Sequence, residues 1–241
     1  MWVQNEKELG LLENNHRPYG RLLSLLATKH EGVQRDYLAR VNDPEWPKWK
    51  AAELAKKFDF DYWDGSRKIN YGGYTYKPGY WTPIAQALIN EFALTKSSKV
   101  LDVGCGKGFL LFELTQLIPG IQVQGVDISS YAIENSHLEV KSQLRVSNAT
   151  SLPFQDKEFD LAVSINTLHN LYNFELADAL REFSRVSKEQ YLCVESYRNE
   201  REKVNLLYWQ VTCEAFNTPE EWFWWFQQTG YHGDYEFIYF S

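Results

Sequence analysis

The stretch of this chain that says most about its architecture is Val100-Leu101-Asp102-Val103-Gly104-Cys105-Gly106-Lys107-Gly108. A short apolar run, typical of a buried strand, ends here in three glycines at alternate positions. Glycine lets the backbone turn sharply and approach a ligand closely, and Gly108 opens a helix whose amide end attracts polar or anionic groups. Asp102 lies two residues before the first glycine. A carboxylate at this position would face the ammonium group of a bound ligand better than a pyrophosphate, which it would repel. The pattern indicates a ligand cradle at the end of a strand.

Beyond Lys99 the chain alternates between segments typical of strands and of amphipathic helices. The predicted strands are 100–103, 121–126, 144–147, 159–165, 190–195 and 235–240. The predicted helices are 109–117, 130–140, 174–186 and 219–228. Strands that alternate with helices pair in parallel, because each right-handed crossover places its helix on a face of the sheet. We therefore predict an α/β fold with a doubly wound, mostly parallel sheet of the seven-stranded type and helices on both faces.

Residues 1–97 lack this alternation of strand and helix patterns. Helical spacing covers 17–42 and 45–58, and a further helix begins at Thr82-Pro83. Between them, residues 58–81 hold nine aromatic residues interleaved with four glycines. Glycine at that density breaks regular structure, so we expect a structured loop with an aromatic inner face. We predict a helical N-terminal extension with an aromatic lid over 1–97, followed by a ligand-binding domain over 98–241.

Composition and charge exclude several functions. The formal net charge is −7, and a negative field repels phosphate backbones, so nucleic acid is not an expected partner. The three cysteines, Cys105, Cys193 and Cys213, lack metal-type spacing, so we expect free thiols, no metal site and a reducing, cytoplasmic location. The sequence contains neither a run of eighteen apolar residues nor a basic, apolar leader, so we expect no membrane partner. The aromatic run at 222–226 fits the core or a subunit interface, which leaves a homo-oligomer open.

The segment 82–195 resembles the class I, Rossmann-like S-adenosylmethionine-dependent methyltransferases of the small-molecule type. Residues 100–108 are similar to the first motif of that family, and Val126-Asp127-Ile128-Ser129 is similar to its acidic second strand end. Asn148-Ala149, followed by Leu152-Pro153-Phe154 and Phe159-Asp160, resembles its third and fourth motifs in order and spacing. The resemblance implies S-adenosylmethionine as the cofactor and a small-molecule methyl acceptor as the partner.

The resemblance also implies roles for single residues. Asp102 with Gly104, Gly106 and Gly108 would hold the methionine portion, Asp127 the ribose hydroxyls, and Asn148 with Ala149 the adenine edge. Ile128 and Asn166 join them as strand-end contacts, and Tyr71 and Tyr74 would pack on the sulfonium through cation–π attraction. Three of these groups have structural alternatives: Asp127 as a cap of the helix that starts at Ser129-Ser130, Asn148 as a turn residue, and the tyrosines as packing for the N-terminal helices.

The residues that would act on the methyl acceptor are less clearly indicated by the sequence. Ligands of an open α/β sheet bind beyond the carboxyl ends of the strands, which makes Thr167-Leu168-His169-Asn170 the loop nearest the chemistry. His169 is the first candidate for a general base, because imidazole titrates near neutrality, and Glu195 at the next strand end is the second. A buried, hydrogen-bonded histidine is the structural alternative. Asn166-Thr167-Leu168-His169 lacks the two prolines and the aromatic residue typical of families that methylate nucleobase amino groups or glutamine.

Three functions follow as hypotheses. The first is methyl transfer to an oxygen or nitrogen of a small polar metabolite. Tyr62-Trp63-Asp64-Gly65 and Tyr71-Gly72-Gly73-Tyr74 resemble methyltransferases found near surface-polysaccharide gene clusters, which implies a sugar derivative as one acceptor. The second is a nicotinamide oxidoreductase, against which Phe109 occupies the position of the last glycine in the dinucleotide fingerprint. The third is a non-catalytic cofactor-binding scaffold.

Overall fold

The computed structural model describes residues 20–26 and 36–241. Its helices are α1 Tyr37–Val41, α2 Lys48–Ala55, α3 Phe60–Trp63, α4 Thr82–Glu91, α5 Phe109–Leu117, α6 Ser130–Glu134, α7 Asn173–Val186, α8 Glu200–Trp209 and α9 Pro219–Thr229. Its strands are β1 Lys99–Val103, β2 Gln122–Asp127, β3 Leu144–Val146, β4 Phe159–Ile165, β5 Ser187–Glu195 and β6 Asp234–Ile238. Single 3-10 turns cover Lys141–Gln143 and Leu168–Asn170.

The strands form one sheet in the order β3-β2-β1-β4-β5-β6, and every pair is parallel. Side chains alternate across the sheet, so Val100 belongs to the apolar cluster under α4 and α5, whereas Leu101 belongs to the cluster under α7 and α9. The strand order reverses between β1 and β4, the place where doubly wound sheets open a crevice for a ligand. The predicted α/β fold is confirmed.

The strand count differs from the expected seven-stranded type, because the described residues supply six strands. Residues 20–26 lie along the outer edge of β6 instead, joined by one parallel bridge between Leu22 and Tyr235. This edge contact also corrects the helix predicted at 17–42, since 20–26 is not helical. Within that predicted helix, α1 is helical, and residues 17–19 and 27–35 lie outside the described residues.

Two further elements differ from expectation. The helix predicted over 130–140 ends at Glu134, because the chain turns back and the His137 amide donates to the Lys107 carbonyl at 2.9 Å. The chain between the predicted strand 190–195 and the predicted helix 219–228, where no element was expected, forms α8, whose N-cap Asn199 accepts from the Glu202 amide. The described residues contain no helix with the length and apolar character needed to span a bilayer.

Candidate functional site

A cavity of about 830 Å³ opens at the carboxyl ends of the central strands. The glycine loop after β1 and the ends of β2 and β4 line its floor, and residues of the 58–81 segment line its opposite wall. Within the described residues, all the residues proposed for the site line this cavity except Gly108. That volume lies toward the upper end of the roughly 300–1,000 Å³ typical of ligand pockets.

The glycine loop is held by backbone bonds and requires its glycines. The amides of Gly104 and Cys105 both donate to the Val126 carbonyl, at 2.8 and 3.0 Å. Gly104, Gly106 and Gly108 have φ values of +86°, +53° and +76°, which L side chains rarely adopt. Gly108 is the N-cap of α5. A Cβ at Gly106 would lie 2.9 Å from the Trp63 ring, so the loop is also closely covered by the 58–81 segment.

Asp102 is a buried carboxylate, 4% exposed, at the cavity end of β1. No donor among the described residues hydrogen-bonds to it, and burial, reinforced by the nearby Asp127, raises its pKa to about 8. A carboxylate in such surroundings is stabilised by a cation. Asp102 therefore fits the ammonium group of a methionine-like ligand, the role implied by the resemblance.

Asp127 anchors the glycine loop from the end of β2. Its two carboxylate oxygens accept from the amides of Gly106 and Ser129, both at 2.8 Å, while Ser129 itself caps α6. Burial raises the pKa of Asp127, against the lowering effect of these backbone bonds. Each carboxylate oxygen keeps a second acceptor site, so this structural bond pattern leaves room for ribose hydroxyls as well.

The remaining candidate cofactor contacts form one rim of the cavity. Asn148 and Ala149 follow β3, and the Asn148 Oδ1 accepts from the Thr150 amide at 3.0 Å, which is the turn role weighed above. Ile128 is 54% exposed, an apolar surface open to a flat ligand. Asn166 follows β4 with a φ of +54°.

His169 and Glu195 form a buried pair on the far side of the cavity. The Glu195 amide donates to His169 Nδ1 at 3.3 Å, and His169 Nε2 lies 3.5 Å from Glu195 Oε2. Because Nδ1 accepts, the ring proton is assigned to Nε2, facing the carboxylate. Burial lowers the pKa of His169 to about 3, which corrects the expectation of an imidazole titrating near neutrality. Gln210 donates to the other Glu195 oxygen, Oε1.

The 58–81 segment is fastened to the glycine loop by charge and by aromatic packing. Asp64 binds Lys107 Nζ through both oxygens, at 2.8 and 2.7 Å, and also accepts from the Tyr131 hydroxyl at 2.8 Å. Tyr74 stacks on Phe109 with ring centroids 5.2 Å apart. Tyr71 stacks on Trp63 at 5.5 Å. The predicted aromatic inner face is thus directed at the cavity floor.

Sequence reasoning missed several residues at this cavity. Lys107 was quoted only as part of the glycine loop, although a buried lysine there needs an acidic partner, and Asp64 is that partner. Lys107 and Asp64 lie behind the cavity wall, whereas Arg40, Arg67 and Trp209 line the cavity itself, brought there by α1, the 58–81 segment and α8. No local pattern joins these three residues, because their contacts span large separations in sequence. Among the described residues, no cluster of His, Cys, Asp and Glu forms a metal site.

Comparisons with known proteins agree with this geometry. Residues 101–194 match a family model described as a methyltransferase domain. A curated, uncharacterized protein of Methanocaldococcus jannaschii is 32% identical over 124 residues, 52% of this chain and 46% of the relative. A malonyl-[acyl-carrier protein] O-methyltransferase of Legionella pneumophila is 32% identical over 92 residues, 36% of this chain and 32% of the relative. The match therefore spans less than half of the length of either relative.

A solved structure shares the fold. The YcgJ protein from Bacillus subtilis superposes with a TM-score of 0.51 at 21% identity, covering 60% of this chain and 66% of its own. The family match runs from β1 to β5 of the parallel sheet. The cavity lies at the carboxyl edge of that same core.

Proposed function

We propose that this chain, whose residues 101–194 match a methyltransferase domain, is a class I S-adenosylmethionine-dependent enzyme that transfers a methyl group to an oxygen or nitrogen atom of a small polar acceptor. The observation that carries the proposal is Asp102, a buried carboxyl group to which no described residue donates, beside a glycine loop in a large cavity. A nicotinamide dinucleotide would bring its pyrophosphate to this position, where Asp102 repels it when ionised and offers it no opposite charge when protonated. The cavity thus favours a ligand with an ammonium group.

The residues of the cavity divide the work of methyl transfer. Asp102 binds the ammonium group, Asp127 and Asn148 accept and donate hydrogen bonds to the ribose and adenine, and the glycine loop allows close approach. When bound, the cofactor supplies an electrophilic methyl group on a sulfonium. Tyr71 and Tyr74 exclude water and present aromatic faces to positive charge. Glu195, oriented by His169 and Gln210, accepts a proton from the acceptor.

Cofactor binding is the first test. Calorimetry with S-adenosylhomocysteine should give a saturable heat, and the reduced nicotinamide dinucleotide should give none. Asp102→Asn should weaken S-adenosylhomocysteine binding about 10- to 100-fold, since a hydrogen bond to a charged group contributes about 1.5–3 kcal/mol. Asp178→Asn, on the exposed face of α7, is the matched control and should bind normally. Dinucleotide binding without S-adenosylhomocysteine binding would replace this proposal with an oxidoreductase.

The acceptor is the second test. S-adenosylhomocysteine release, measured over a panel of small alcohols, amines and sugar derivatives, should identify a substrate. A sugar derivative of surface-polysaccharide synthesis heads the panel, on the resemblance of residues 62–65 and 71–74. If the cofactor binds and no member of a broad panel is methylated, a non-catalytic scaffold becomes the better account.

A further inference from the structure

Two guanidinium groups enter the candidate active-site cavity from different elements and meet at one indole ring. Arg40, in the last turn of α1, lies 5.2 Å from the centroid of the Trp209 ring. Arg67, in the 58–81 segment, lies 6.0 Å from the same centroid. Guanidinium groups held near an aromatic ring keep a defined position and orientation.

Neither guanidinium has a carboxylate partner among the described residues. Arg40 donates to the Trp209 carbonyl at 3.0 Å, and Arg67 donates to the Asn70 carbonyl. Elsewhere in the described chain, four arginines each form an ion pair with a carboxylate: Arg21, Arg181, Arg185 and Arg198. Arg145 and Arg201 also form no ion pair within the described residues, but neither of them lines the cavity. Arg40 and Arg67 thus bring to the cavity positive charge that no described carboxylate neutralises.

The neighbourhood adds to this excess. Burial, together with repulsion from Arg67, lowers the pKa of Arg40 to about 10. Burial, then repulsion from Lys56 and Arg40, lowers the pKa of Lys48. Lys56 is paired with Glu214, so a carboxylate offsets one of these charges. Like charges gathered at a cavity wall, on a chain of net charge −7, are stabilised by an anion that binds between them.

The cationic wall lies next to the proposed chemistry. Trp209 precedes Gln210, whose side-chain amide donates to Glu195. Arg40, Arg67, Gln210 and Glu195 line the same cavity as Asp102. A ligand group held at Trp209 would thus place the rest of a small molecule beside Glu195.

We propose that the methyl acceptor carries an oxyanion, a carboxylate or a phosphate, and that Arg40 and Arg67 bind this group beside Trp209. That the bound molecule is a methyl acceptor rests on the proposed function, but the anion site can be tested independently of methyl transfer. The planar fork of each guanidinium donates two parallel hydrogen bonds to such a group. The arginines fix the acceptor while its neutral nucleophile faces Glu195.

The experiment titrates two probes, inorganic diphosphate and citrate, into the full chain saturated with S-adenosylhomocysteine and into the chain alone. Calorimetry should show binding of at least one probe. Arg67→Gln and Arg40→Gln should each weaken it at least tenfold, and Arg201→Gln, an exposed arginine on α8 that does not line the cavity, should leave it unchanged. S-adenosylhomocysteine affinity should stay constant in all three variants.

Two features keep the test decisive. Arg40 also bonds the last carbonyl of α8, so Arg40→Lys, which keeps the charge, and Arg67→Gln, at an exposed position, cover the case in which Arg40→Gln does not fold. Arg40→Lys should bind the probe with an intermediate loss, because the fork is absent.

Failure of both probes to bind, or an equal loss in Arg201→Gln, would overturn the anion site. If the probe depends on Arg40 and Arg67 while S-adenosylhomocysteine does not bind, the anion site stands and the proposed methyl transfer fails.

Discussion

Asp102 has a protonation state that a bound cation should change. Its pKa of about 8 is raised by burial and by Asp127, whereas the unfolded chain has a carboxyl pKa of about 3.9. The carboxyl is therefore protonated in the ligand-free protein below about pH 8. An ammonium group at this position favours the ionised form, so binding should release a proton.

The affinity for S-adenosylhomocysteine should consequently rise with pH, by up to about tenfold per unit, and level off near pH 8. Calorimetry at pH 6, 7 and 8, in two buffers of different ionisation heat, measures both the affinity and the released proton. Asp102→Asn should bind with little pH dependence. A native affinity that is flat over this range would mean that Asp102 is already ionised or does not meet the ligand.

The raised pKa of Asp102 also affects the free energy of unfolding, which should fall with pH where the affinity rises. The folded state holds a proton that the unfolded state loses above about pH 4, so the contribution of Asp102 is full below that pH. It is lost progressively as pH rises to about 8. The decline in the free energy of unfolding over this window should therefore be smaller in Asp102→Asn, which urea unfolding at several pH values can measure.

His169 illustrates why a residue type alone does not settle a catalytic role. A buried imidazole with a pKa of about 3, whose Nδ1 accepts from a backbone amide, stays neutral at pH 7. Its Nε2 hydrogen faces Glu195. We therefore propose His169 as a positioning residue and Glu195 as the base that faces the acceptor. The sequence placed both residues at the right strand ends but could not show their order.

Glu195→Gln should lower turnover about 10²- to 10⁴-fold, the usual contribution of a positioned base, with S-adenosylhomocysteine affinity nearly unchanged. His169→Ala should lower turnover less and should shift the pH profile of kcat, because the carboxylate loses a fixed neighbour. Glu220→Gln, on the exposed first turn of α9, is the control. If His169→Ala and Glu195→Gln are equally inactive with unchanged cofactor affinity and stability, the imidazole itself accepts the proton. The measurement requires the acceptor found in the screen.

At the scale of elements, the 58–81 segment is joined to the cofactor loop at two points. Near its start, Asp64 pairs with Lys107, which is 4% exposed within the glycine loop. Near its end, the Tyr76 hydroxyl donates to Glu113 of α5 at 2.5 Å, and this bond raises the pKa of Tyr76 to about 12. Between the two points lie Gly72 and Gly73, both with positive φ, which permit a change of backbone path. Two anchors with glycines between them support the prediction that this segment acts as an active-site lid.

Hydrogen exchange in residues 71–80 should slow when S-adenosylhomocysteine is added, because ligand closes the aromatic face on the floor of the cavity. Asp64→Asn should weaken this protection and reduce the affinity for S-adenosylhomocysteine several-fold, since the pair with Lys107 is largely buried and leaves an uncompensated charge when broken. Asp61→Asn, three residues earlier, is the control. Equal exchange with and without ligand would leave the aromatic residues as packing for the N-terminal helices.

The elements that the sequence predicted well are those with a strong local period. β4 and α5 begin and end where their patterns do, because each has an apolar face and a clear boundary. The helix predicted after Ser130 was too long, because a hydrogen bond from the His137 amide to the Lys107 carbonyl accompanies its early end. A local sequence pattern carries no information about such a long-range bond. α8 was missed although Asn199 followed by Glu200 and Glu202 is a good N-terminal signal, which its high charge obscured.

The candidate site likewise contains residues that local patterns predict and residues that only long-range contacts bring in. The glycine loop, Asp127 and the strand-end residues are local motifs, so the sequence predicted where they would lie. The Arg40 and Trp209 contact joins residues that are 169 positions apart, and Asp64 and Lys107 are 43 apart. Such pairs form only after the sheet has brought the cavity walls together. The assignment of the cofactor contacts and the division of the chain at residue 97 stay predictions.

At the scale of the whole molecule, the N-terminal residues complete the edge of the sheet. The Leu23 amide donates to the Tyr235 carbonyl at 2.8 Å, and the Tyr235 amide donates to the Arg21 carbonyl at 3.0 Å. An open strand edge invites pairing with other chains, and residues 20–26 cover this one. The buried Glu236 holds them in place: its carboxylate accepts from the amides of Leu25, at 2.8 Å, and Leu26, at 2.9 Å, and from the Tyr191 hydroxyl.

Glu236→Ala should therefore lower the free energy of unfolding by several kcal/mol, because two amides and one hydroxyl lose their acceptor and each buried unsatisfied group costs about 1–3 kcal/mol. Glu236→Gln keeps an acceptor oxygen and should lose less, and Glu189→Ala, exposed on β5, should be near native. Urea unfolding gives the three values. Cofactor affinity, measured well below the melting temperature, should change little in any of them, because Glu236 does not line the cavity and Leu26 is the one residue of 20–26 that does. A stable Glu236→Ala chain would show that residues 20–26 leave the edge at little cost, whereas a loss of affinity at full stability would tie this edge to the cavity.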